Sequence, residues 1–130
     1  MSTSNFAGAD GEHVGEWVLV REGWRIVDRQ VKAAGGHVLD FLAVHPILHD
    51  DWLVELKVWG GPRSGRDTVK KAIADAYDLK QLGEPRPLLL VMSHQLDGLL
   101  GDMLIRARRA GAINEIRVIG STEHYGTEAT

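Results

Sequence analysis

The stretch Trp52-Leu53-Val54-Glu55-Leu56-Lys57-Val58-Trp59 reads as a buried β-strand that carries a carboxylate and an amine two residues apart. Side chains alternate along a strand, so Glu55 and Lys57 share one face, while Val54, Leu56 and Val58 share the other. Charges on an otherwise apolar strand are costly unless they pair or act together. Fifteen residues before Glu55, Asp40 sits in a second apolar run, His37-Val38-Leu39-Asp40-Phe41-Leu42-Ala43-Val44. If the two strands pair, an Asp, a Glu and a Lys converge.

Outward from this pair, the chain punctuates itself with glycine and proline. His45-Pro46-Ile47-Leu48-His49-Asp50-Asp51 makes a hairpin loop between the two strands. On the N-terminal side, Asp10 is read as the cap of a helix over 11–22, with Val14, Trp17 and Val18 as its apolar stripe. Glu12 and Glu16 fall on the opposite side, with Leu19 near Glu12. Gly23 stops this helix. Residues 24–29 read as a strand with Trp24, Ile26 and Asp28 on one face, and Ala33-Ala34-Gly35-Gly36 is a turn.

On the C-terminal side, a loop over 60–65 leads to a helix over 66–82, with Val69, Ile73, Ala76 and Tyr77 on its apolar stripe. The run Leu88-Leu89-Leu90-Val91-Met92 suits a strand covered on both faces. A helix from 97 or 98 to 110 and a strand over 115–119 follow. The predicted fold class is α/β, in the order α-β-β-β-α-β-α-β. Three antiparallel strands lead into parallel crossovers, in a mixed sheet flanked by helices on both faces.

The 130 residues are read as a single domain, 1–130, with tails over about 1–9 and 121–130. No cysteine is present, which excludes thiolate metal sites, disulfides and a cysteine nucleophile. No apolar run reaches membrane-spanning length and the N-terminus lacks the order of a signal peptide, so a cytoplasmic protein without a membrane partner is expected. The net charge of −3 means that any binding to nucleic acid must rest on a local basic patch.

Three chemistries suit Asp40, Glu55 and Lys57. One is a structural ion pair on a strand face, the commonest use of Glu-x-Lys. One is metal-dependent phosphodiester hydrolysis, in which Asp40, Glu55 and the main-chain carbonyl of Leu56 offer oxygen ligands to a hard cation such as Mg²⁺. Lys57 then orients water or offsets charge at phosphorus. The third is a binding module whose acids are incidental. Arg63, Arg66, Lys70 and Lys71 cluster after the Glu55 strand. The first three are candidate phosphate contacts, whereas Lys71 suits the solvated side of a helix. Lys70 and Asp67 could simply pair. Arg106, Arg108 and Arg109 complement a helix C-terminus. Glu16 and His37 read as surface residues, and the tryptophans and Tyr77 as core.

The order of elements, with an Asp strand followed by a Glu-x-Lys strand, resembles the PD-(D/E)XK, or restriction-endonuclease-like, nuclease superfamily. Glu12 lies eleven residues before Gly23-Trp24, and Val54-Glu55-Leu56-Lys57-Val58 resembles an "(I/V)-E-V-K" strand. Both features are similar to archaeal Holliday-junction resolvases and the bacterial YraN-like family. Gly23-Trp24-Arg25-Ile26-Val27-Asp28-Arg29 is similar to the "G-Y-x-I-L-x-R" phrase of the latter.

The resemblance covers about residues 11–92. It implies an Mg²⁺-dependent deoxyribonuclease, with Mn²⁺ as a substitute, that acts on structured or branched DNA, as a homodimer suited to cutting two strands. It makes Asp40 and Glu55 metal ligands and Lys57 the catalytic lysine. Glu12 becomes an acid on the first helix that completes the site or holds a water. The alternative is a non-catalytic subunit of the same fold that binds DNA or a protein.

Overall fold

A computed structural model describes residues 9–57 and 65–119, with the side chains of the first helix described from His13 onward. The elements are α1 (Ala9–Arg21), β1 (Arg25–Lys32), a 3₁₀ turn (Ala34–Gly36), β2 (Val38–Val44), β3 (Asp51–Lys57), α2 (Arg66–Gln81), β4 (Leu88–Met92), α3 (Gly98–Arg109) and β5 (Glu115–Val118). The predicted order therefore stands. Asp10 does not cap α1, because the helix already includes Ala9. Residues 1–8 and 120–130, the loop over 60–64, Val58, Trp59 and Arg63 lie outside the described residues, whereas Ala9 of the predicted N-terminal tail belongs to α1.

The five strands form one sheet in sequence order. β1, β2 and β3 are an antiparallel meander, and β3, β4 and β5 are parallel. The predicted α/β class with a mixed, helix-flanked sheet is thus present. Strand alternation sorts the core into two layers. Leu53, Leu88, Leu90 and Met92 face α2 and α3, meeting Val69, Ile73, Leu100 and Leu104. Trp52, Val54, Leu56, Leu89 and Val91 face the other way, toward Leu19 of α1. β4 is buried at every position, as its unbroken apolar run implies.

Three local readings are corrected. In α1, Trp17 is 59% exposed and Leu19 is fully buried. The buried positions are Gly15, Val18 and Leu19, so the helix turns this face toward the sheet. Hydrophobicity misplaces the stripe because Gly15 contributes no side chain. The guanidinium of Arg21 covers the Trp17 ring instead, 4.6 Å from its centroid. In β1, the register shifts between Ile26 and Asp28, so simple alternation fails: Ile26 packs against the α1-side core and Asp28 is exposed. Tyr77 of α2 is 41% exposed; Ala72 and Leu79 complete the buried stripe in its place.

A candidate metal centre where two strands part

β2 and β3 pair from Val44↔Asp51 to Phe41↔Val54, and the ladder stops there. The next hydrogen-bonded pair would join Leu39 to Leu56. Instead, the N–H of Leu56 donates to Asp40 Oδ2 at 2.7 Å. A side-chain carboxylate thus takes the place of a strand carbonyl, and a gap opens between two otherwise regular strands. The carbonyl of Lys57 accepts from the N–H of Ser93, on the β4 side. Backbone groups alternate sides along a strand, so both the N–H and the carbonyl of Leu56 face β2 and this gap.

Glu55 and Lys57 project toward the α2 side, as Leu53 does. Lys57 Nζ lies 3.4 Å from Glu55 Oε2, with the two side chains 22% and 17% exposed. Glu55 also shares a hydrogen bond with Asp40. Two carboxyl groups can share such a bond only if one carries a proton. Burial, then the hydrogen bond and charge of Asp40, push Glu55 up to about 8, against a smaller pull from Lys57. The structure therefore brings Asp40, Glu55 and Lys57 together, with burial and Asp40 acting against the ionised form of Glu55 and Lys57 acting for it.

Asp40, Glu55 and the carbonyl of Leu56 offer oxygen donors of the kind Mg²⁺ and Mn²⁺ take. Among the described residues no group of three or more His, Cys, Asp or Glu is placed to hold a metal. Glu12 lies in α1, and its side chain is outside the described set.

The remaining predicted residues are less convergent. Arg66 is half-buried and Lys70 exposed in the first turns of α2, and neither has an ion-pair partner among the described residues. Lys70 does not pair with Asp67; Lys71 pairs with Asp75 one turn on, at 3.3 Å. Glu16 is no free surface acid: it binds Arg29 through 2.7 Å contacts that hold its carboxyl below the usual range. His37 bonds Asp78 of α2 at 2.7 Å. It also lines a hollow beside Glu55, together with Leu39, Ala72, Asp75 and Leu90.

Sequence reading named the carbonyl of Leu56 but missed its N–H, the group that anchors Asp40. It also missed Gly15, whose burial carries no hydrophobic signal. Set beside known proteins, the chain matches no family model, no curated protein and no solved structure.

Proposed function

We propose that this protein is a metal-dependent deoxyribonuclease with a restriction-endonuclease-like fold. The observation that carries the reading is the interrupted β2–β3 ladder: Asp40, held by the N–H of Leu56, meets Glu55 while Lys57 stands 3.4 Å from Glu55. A structural ion pair needs one acid and one base. A second carboxylate forced against the first raises the energy of the site, which suits a place where a cation binds.

In this reading Asp40, Glu55 and the carbonyl of Leu56 hold Mg²⁺ or Mn²⁺, which supplies Lewis-acid charge to the phosphodiester. Asp40 has one oxygen fixed by Leu56, leaving the other to act as ligand. Lys57 places its ammonium to orient the attacking water and to offset negative charge as it builds on phosphorus. Water adds to phosphorus, and the bond to the leaving oxygen breaks. Arg66 and Lys70 on α2, and Arg63 before it, serve as phosphate contacts. The resemblance to junction resolvases makes branched DNA the first substrate to test, with a homodimer as the form suited to two cuts.

The test is cleavage of linear, single-stranded and four-way-junction DNA with Mg²⁺ or Mn²⁺. Cutting that disappears in Lys57→Ala is the expected outcome, and intact substrates in every case would defeat the proposal. A second reading, a non-catalytic subunit of this fold for DNA binding or protein interaction, is favoured by the net charge of −3. Calorimetry with Mn²⁺ separates the two: a catalytic centre binds the ion and loses it in Asp40→Asn.

A further inference from the structure

Gln30, inside β1, has a φ of 50°. An extended strand uses negative φ, and a residue with a Cβ rarely adopts the left-handed region. The side chain of Gln30 is exposed, so its own packing does not impose this conformation.

The flanking residues show what the conformation does. Arg29 lies on the α1 side, where its guanidinium binds Glu16 of α1 and stands 5.2 Å from the centroid of the Phe41 ring. Val31, two residues on, belongs to the core on the α2 side. Side chains two apart on a regular strand share a face, so β1 changes face at Gln30. β2 does the same: Phe41 packs on the α1 side, and Leu39 on the α2 side, in the hollow with Ala72 and Leu79. Arg29 pairs with Phe41 and Val31 with Leu39, which sets Gln30 against Asp40. The two strands therefore switch faces together, and the residue at the switch in β2 is an acid of the candidate centre.

At this same level β2 leaves β3, and Asp40 Oδ2 accepts from the N–H of Leu56 at 2.7 Å. Side chains of a regular strand stand roughly perpendicular to the sheet, away from the plane that holds the backbone N–H groups. The switch turns the Asp40 carboxylate into that plane.

We infer that Gln30 is a positioning residue: its left-handed backbone makes the β1–β2 ribbon change faces, and this turns the Asp40 carboxylate into the gap beside β3. What the gap holds rests on the metal-centre reading above. Gln30 acts through its backbone, and its amide side chain is not required. Backbone strain of this kind persists where the surroundings over-determine it, and it gathers at functional sites.

The experiment compares Gln30→Gly, Gln30→Asn, Gln30→Ala and Gln30→Val in the full chain, by hydrogen exchange at the Leu56 amide, Mn²⁺ calorimetry and thermal unfolding. Ordinary strand positions favour valine and penalise glycine. A left-handed position reverses that order, because glycine adopts it freely, asparagine tolerates it and a β-branched residue resists it. Gln30→Gly and Gln30→Asn should keep the Leu56 amide protected and bind Mn²⁺ as wild type does, and Gln30→Gly should unfold at a higher temperature than Gln30→Ala. Gln30→Val should speed exchange at the Leu56 amide and weaken Mn²⁺ binding by about tenfold or more, the scale seen when groups that orient metal ligands are removed.

Wild-type Leu56 protection or wild-type Mn²⁺ affinity in Gln30→Val overturns the inference, as does a comparable loss of affinity in Gln30→Gly. If Gln30→Val does not fold, the glycine and alanine variants decide. A higher midpoint and slower Leu56 exchange in Gln30→Gly support the inference, and alanine equal to or above glycine overturns it. A wild-type chain that binds no Mn²⁺ removes the metal centre itself; the order of Leu56 exchange then still decides whether Gln30 positions Asp40, so the two failures are distinct.

Discussion

Two glutamates of this protein show how the neighbours of a buried carboxylate decide whether it holds its charge. Glu84, in the turn between α2 and β4, has a side chain only 4% exposed. It accepts hydrogen bonds from the N–H of Ala34 at 3.0 Å, the N–H of Arg86 at 3.2 Å, and the Arg86 guanidinium at 2.8 and 3.2 Å. Arg86 also reaches the carbonyl of Lys32 at 3.1 Å. The guanidinium and these N–H groups hold Glu84 down at about 2. Glu55 is likewise mostly buried, but its neighbours are a second carboxylate and one amine, and it stands at about 8. One acid is oversupplied with donors and fastens the β1 end to the α2–β4 turn. The other lies beside a second carboxylate and a single amine, and burial there works against its ionised form.

The largest expected effect is on cleavage. Lys57→Ala should reduce the rate by at least about a hundredfold, the usual contribution of a positioned proton-handling or charge-stabilising group. Circular dichroism should show the fold retained, since Lys57 is a partly exposed strand end. Equal rates in a time course on junction DNA would reduce the pair at Glu55 to the structural type seen at Glu84.

Next come two substitutions of opposite sign. Glu84→Gln should destabilise by about 2 kcal/mol, because it leaves a guanidinium and backbone donors poorly satisfied. Glu55→Gln should instead stabilise by roughly 1–2 kcal/mol at pH 9, where the wild-type side chain is forced to ionise beside Asp40. Urea unfolding of both variants measures this. A loss at Glu55 as large as at Glu84 would erase the distinction.

The pH dependence follows from the same two shifts. Glu55 is raised, so between about 4.5 and 8 the folded state holds a proton that the unfolded state has released. Its contribution to stability therefore falls as pH rises through this window and levels off above it. Glu84 is lowered, so its contribution is complete above about 4.5 and is lost as pH falls toward about 2. Thermal midpoints of wild type and Glu55→Gln between pH 5 and 9 should diverge, the variant lacking the downward slope. Saturating Mn²⁺ should also remove that slope from wild type, because the ion replaces the proton. The smallest effect is expected at Trp17→Ala, within about 1 kcal/mol, because this ring is exposed and loses only its contact with Arg21.

Among the described residues no helix is long and apolar enough to cross a membrane, in keeping with the sequence. Much of the rest was legible there too. Alternation in Leu53-Val54-Glu55-Leu56-Lys57 put both charges on one face, and Gly23, Pro46 and Gly83 punctuated the elements correctly. These are local properties, set by residue type and spacing within a few positions.

The sequence alone determined the order of elements, the α/β class and the shared face of Glu55 and Lys57, because strand alternation and turn chemistry act over short range. Only the tertiary structure decided that β2 and β3 separate at Asp40, that α1 turns Gly15, Val18 and Leu19 inward, and that Glu55 is raised while Glu84 is lowered. Each of these depends on which atoms from distant segments meet, and in what degree of burial. An Asp in an apolar strand can bond solvent, a neighbour or a backbone N–H with equal propriety, and residue type carries no record of which. Glycine in a helix likewise gives no sign of the sheet it lies against.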